Sequence, residues 1–136
     1  MLTLICGAKG SGKTSRIIDK ANKDVNAAKG DCIYVSDTER YMYDLDRNVK
    51  LVDVGQYGID GDAFGPFVFG VMAGRSDLTN LYIDGVSRIT GKSPADLKGF
   101  YTKLAEIAER DSIAVVATVS AAADDLTDYL MKYKII

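Results

Sequence analysis

Three glycines, two lysines and a threonine fall within Gly7-Ala8-Lys9-Gly10-Ser11-Gly12-Lys13-Thr14, directly after the apolar run Leu2-Thr3-Leu4-Ile5-Cys6. Their spacing fits G-x-x-x-x-G-K-[ST], an arrangement whose chemistry is the binding of phosphate. Glycine at positions 7, 10 and 12 lets the backbone curl round an anion without Cβ collisions, so that successive N–H groups turn inward. Ala8, Lys9 and Ser11 fill the variable positions. Lys13 carries a compact ammonium suited to β- and γ-phosphate oxygens, and Thr14 a hydroxyl that can ligate Mg²⁺. A dinucleotide-binding turn, G-x-G-x-x-G, would place glycine where Ser15 stands. Gly7 to Ser15 is therefore the candidate phosphate-binding stretch, with Mg²⁺-bound ATP as its expected ligand.

A magnesium ion beside phosphate needs oxygen ligands and keeps several waters. Asn80-Leu81-Tyr82-Ile83-Asp84 is an apolar strand that carries one carboxylate to its tip, so Thr14 and Asp84 are the candidate metal pair. Gly85 follows, and a glycine cannot polarise an attacking water. Among the three glutamates, Glu106 and Glu109 fall late in a predicted helix. That leaves Glu39, just past the second strand, as the candidate catalytic residue alongside Lys13, with Asp37 in reserve.

These groups need strands to hold them and a helix to aim the loop's amides. Ser15 to Ala28 has Ile17, Ile18, Ala21, Val25 and Ala28 at helical spacing, with Gly30 as a stop. Asp31 to Ser36 reads as a second strand, giving a right-handed strand-helix-strand unit and favouring a parallel sheet. Val49 to Val54 is a short strand, Gly55 to Gly61 a loop, and Ala63 to Ala73 a helix despite Gly65, Pro66 and Gly70. Leu78 to Asp84 is a strand and Asp84 opens a loop. Ser93-Pro94 caps a helix running to about Arg110. Ile113 to Val119, the most apolar strand, belongs at the centre. Asp124 to Leu130 forms a last helix, and Tyr133 to Ile136 closes the sheet. The fold expected is a three-layer α/β P-loop NTPase fold, a mostly parallel five-stranded sheet with helices on both faces, in one nucleotide-binding domain over residues 1–136.

The bulk numbers accord with a soluble globular protein: 47% apolar, 26% charged, net charge -2. The first strand starts at Leu2 and no apolar run reaches membrane-span length, so a cytoplasmic location is expected. Cys6 and Cys32 read as buried small hydrophobes, and without histidine they make no zinc site. The negative balance supplies no general attraction for nucleic acid.

Taken in chain order, the Gly7 to Thr14 loop, Asp37-Thr38-Glu39, Tyr82-Ile83-Asp84 and the Ile113 to Val119 strand resemble the RecA-like branch of the P-loop ATPases. The resemblance implies that the second strand supplies the catalytic glutamate, Glu39, and that the central strand ends on a polar sensor, for which Thr118 and Ser120 are the candidates. It implies an ATPase whose slow intrinsic turnover is stimulated by a partner or by homo-oligomerisation. Arg88, Lys92 and Lys98 are candidate contacts to nucleic acid, and Arg75 and Arg88 candidate arginine fingers. Two other readings stay open: a small-molecule or nucleoside kinase, which needs an acceptor pocket that so short a chain leaves little room for, and a nucleotide-dependent binding switch with little turnover. Tyr41, Tyr43, Tyr129 and Tyr133 are equivalent candidates for stacking on a base. Asn22-Lys23-Asp24-Val25 misses the guanine-reading Asn-Lys-x-Asp by one position and reads as a solvated helix face.

Overall fold

Runs rich in Val, Ile, Leu and Tyr become strands because such side chains fit a pleated surface buried on both faces. The computed structural model describes residues 1–122 and 125–136. Six strands form: β1 (Leu2–Gly7), β2 (Asp31–Ser36), β3 (Val49–Asp53), β4 (Leu78–Ile83), β5 (Ala114–Ser120) and β6 (Lys134–Ile135). They pair in the order β3-β2-β4-β5-β1-β6, every pair parallel. The sheet thus has six strands where five were expected, since both β3 and the two-residue β6 join it. As expected of the most apolar strand, β5 is central.

Side chains alternate between two cores. Ile33, Val35, Leu81, Ile83, Val115, Ala117 and Val119 point to the larger one, under helices α2 (Phe64–Gly74), α3 (Val86–Thr90) and α4 (Lys98–Arg110). Cys32, Tyr34, Tyr82 and Val116 point the other way, onto Ile17, Ile18 and Ala21 of α1 (Lys13–Asp24). The layers are therefore one helix, the sheet, and three helices. α2 tolerates Pro66 because proline in a first turn removes an N–H that has no partner there, and Phe64, Val68 and Met72 at i, i+4, i+8 bury its inner face.

The elements depart from expectation in five places, the first being that the expected loop from Gly55 to Gly61 is partly taken up by 3-10 turns at Val54–Tyr57 and Gly61–Ala63. α1 begins two residues earlier than Ser15 and stops at Asp24, four short of Ala28. The segment from Ser93 opens as a 3-10 turn, Pro94–Leu97, before α4. The expected loop after Asp84 contains α3, whose five residues are too few for periodicity to reveal. Of the expected last helix, Asp124 lies outside the described residues, and a 3-10 turn occupies Asp128–Leu130. Cys6 and Cys32 are free, and burial pushes both thiols above their usual range.

Because all strands run the same way, their C-terminal tips share one edge. The register sets Gly7 beside Ser120 and Ile83 beside Ala117. The helices leaving β1 and β4 lie on opposite faces, so the tips between them stay uncovered, which is where open α/β sheets take ligands.

Candidate functional site

The loop leaves β1 at Gly7, turns through a Ser11 N–H to Ala8 carbonyl hydrogen bond, and enters α1 at Lys13. Gly12 makes that entry with φ 89°, ψ 20°, a left-handed conformation that costs glycine nothing. No described side chain caps the helix and its first turn holds no acid. The leading N–H groups and the positive end of the helix are thus free to face an anion. Lys13 arches across the loop, its Nζ 3.0 Å from the Ala8 carbonyl oxygen.

Asp84 is the meeting point of the strands. It is 4% exposed, low enough that an unpartnered carboxylate would be costly. Thr14 Oγ1 donates to its Oδ2 at 2.8 Å, Tyr34 hydroxyl to the same oxygen at 3.3 Å, and Thr118 Oγ1 to Oδ1 at 2.8 Å. Burial, with the Asp84 charge second, drives the Tyr34 phenol far above its ordinary pKa, so it stays a donor. Thr118 also accepts from the Gly85 N–H at 3.2 Å. Its hydroxyl therefore holds Asp84, while Ser120, the other sensor candidate, stands exposed on the cleft rim.

Lys9, Gly10, Gly12, Lys13, Thr14 and Ser15 line one cleft of about 280 Å³ together with Asp84, Gly85, Arg88, Thr118, Ser120 and Tyr41. Gly7, Ala8 and Ser11 form the back of the loop and do not line it. An adjoining cavity of about 300 Å³ shares Thr14, Tyr41, Asp84 and Arg88 and adds Asp37, Thr38 and Arg40. Glu39 lines neither; it is exposed on the loop after β2.

The donor set suits magnesium. Thr14 gives its proton to Asp84, which leaves the hydroxyl lone pairs to face a cation. Among the described residues no cluster of three acidic, Cys or His side chains exists, so an ion here would complete its shell with phosphate and water oxygens.

Several residues that the sequence singled out stand elsewhere. Arg75 pairs with Asp31 at 2.5 Å, at the opposite end of β2 from the cleft. Lys92 pairs with Asp62 at 2.8 Å, away from the cleft; Arg88, which does line it, pairs with Asp37 at 2.7 Å. Of the four tyrosines, Tyr41 lines the cleft, whereas Tyr129 donates to the Pro94 carbonyl. Asn22 and Asp24 are not merely solvated. Asn22 bonds the Asp44 carbonyl and the Asp46 N–H, both at 2.8 Å, and Asp24 accepts from Tyr82 at 2.8 Å. Tyr34 had no sequence signal beyond its strand; its role comes from where β2 lies beside β4.

Comparison with solved structures bears on this arrangement. The flagellar accessory protein FlaH from Methanocaldococcus jannaschii is similar, with a TM-score of 0.57 and 15% sequence identity. The match covers 96% of this chain and 64% of that one, so this chain spans less than two thirds of FlaH. The likeness shows the fold. It is a three-layer α/β arrangement consistent with the RecA-like architecture that the motifs resemble. No protein-family model matches the chain, and no curated protein matches it in sequence. Among the described residues no helix is long and apolar enough to cross a membrane.

Proposed function

We propose that this chain binds Mg²⁺-ATP in the cleft and hydrolyses it slowly, with turnover raised by a protein partner or by self-association. The 2.8 Å bond between Thr14 and Asp84 carries the reading, because it joins the loop to a strand tip 70 residues away on the wall that Lys13 shares. The amides on the cleft side of the loop, at Lys9, Gly10 and Gly12 to Ser15, would cradle phosphate, and Lys13 would neutralise charge on the β- and γ-phosphates. Thr14 and Asp84 would hold Mg²⁺, which would supply Lewis-acid stabilisation of charge on the phosphate oxygens. Glu39, which lines neither cavity in this structure, is the residue proposed to position the attacking water when the loop after β2 meets the nucleotide, with Asp37, which lines the adjoining cavity, in reserve.

Phosphate release from Mg²⁺-ATP tests the reaction. Wild type is expected to release it slowly and Glu39→Gln at least ~100-fold more slowly, the lower end of what a positioned base contributes. Equal rates remove Glu39 from the mechanism and leave Asp37→Asn as the variant to measure. The adjoining cavity favours a second reading, a kinase whose acceptor sits beside Asp37. Added nucleosides that divert the phosphoryl group from water into a nucleoside monophosphate would select it.

A further inference from the structure

We infer that Arg88 distinguishes a triphosphate from a diphosphate in this cleft, and that Asp37 is the partner it gives up to do so. The inference rests on the nucleotide reading above. Arg88 Nε and Nη2 donate to Asp37 Oδ2 and Oδ1 at 2.8 and 2.7 Å. The same side chain lines the cleft that holds Lys13, Thr14 and Asp84, whereas Asp37 lines only the adjoining cavity. The guanidinium therefore stands between a carboxylate on one side and the phosphate cleft on the other. Its planar fork fits either anion in the same bidentate manner.

Gly85 makes this position available. Its φ is +93°, and a Cβ there would lie 2.7 Å from Arg88 Cζ. Any side chain at position 85, a glutamate included, would push the guanidinium off the tip of β4. The glycine that denies the strand tip a carboxylate thus admits an arginine, and the two residues form one device. The Arg88 and Asp37 side chains are 56% and 29% exposed, so water screens their attraction and exchanging it for phosphate costs little. No proton moves in the exchange, since a guanidinium stays charged throughout. Asp37 is left facing the adjoining cavity with its carboxylate free.

Isothermal titration with ADP and with a non-hydrolysable triphosphate analogue, both with Mg²⁺, tests the proposal on wild type, Arg88→Ala and Asp37→Asn. In Arg88→Ala, triphosphate affinity is expected to fall about 10- to 100-fold, in keeping with loss of hydrogen bonds to a charged group, while ADP affinity stays within about twofold. Asp37→Asn, which frees the guanidinium, is expected to tighten the triphosphate alone. The Arg88 Nε–H resonance should shift on adding the triphosphate and not on adding ADP. Nucleotide binding whose triphosphate-to-diphosphate ratio is the same in all three proteins overturns this inference and leaves the proposed function standing. Failure of wild type to bind either nucleotide overturns both.

Discussion

At the scale of single residues the site is organised by one buried carboxylate and the hydroxyls around it. Asp84 is fully partnered in a nearly closed position because Thr14, Tyr34 and Thr118 all donate to it. Thr118 does two jobs with one oxygen, giving its proton to Asp84 and taking the Gly85 N–H. Thr118→Val keeps the shape and removes both bonds, leaving two buried polar groups short of a partner. The expected cost is about 1–3 kcal/mol in denaturant unfolding. Affinity for ATP with Mg²⁺ should weaken as Asp84 loses its anchor, and affinity without Mg²⁺ should hold. A variant as stable as wild type would mean that the Thr118 hydroxyl is dispensable.

At the scale of elements, the Arg88–Asp37 pair ties the loop after β2 to α3, and its response to acid can be stated with its sign. Hydrogen bonds from Arg88, opposed in part by burial, hold the Asp37 carboxyl below its usual range. A depressed folded-state pKa gives stability that is complete above the ordinary aspartate value of about 3.9 and is lost as pH falls through the folded value. The stability gap between wild type and Asp37→Asn is therefore expected to stay constant from about pH 5 upward and to close below about pH 4. For so exposed a pair it is small, on the order of 0.2–1 kcal/mol. A gap that persists unchanged to pH 3 contradicts the assignment.

What was legible in the chain follows from the range of the interactions. The phosphate loop is a local pattern of glycine, lysine and threonine, and Asp84 announces itself as an acid ending an apolar strand. The Arg88–Asp37 pair spans 51 residues and the Tyr34–Asp84 bond 50, and both exist because β2 lies beside β4. Thr118 reaches Asp84 because β5 lies beside β4 and separates it from β1. Strand order is a tertiary outcome that period and propensity do not encode. α3 carries no periodic signal for a related reason: five residues cannot sustain a helix by propensity, and it is Val86 and Ile89 in the core that hold it.

At the scale of the whole molecule, a chain of net charge -2 concentrates Lys9, Lys13 and Arg88 around one cleft at the uncovered edge of a parallel sheet. Three cations against the single Asp84 carboxylate leave the lining net positive, which favours a polyanion even though the total charge is slightly negative. The function proposed for the cleft requires that it hold Mg²⁺-ATP on the loop's amides, Lys13, Thr14 and Asp84. Isothermal titration of ATP, with and without Mg²⁺, on wild type and Lys13→Ala tests it most directly. Saturable binding in wild type, weakened at least about tenfold by the substitution, is the result expected. ATP affinity that is the same in Lys13→Ala as in wild type would contradict it.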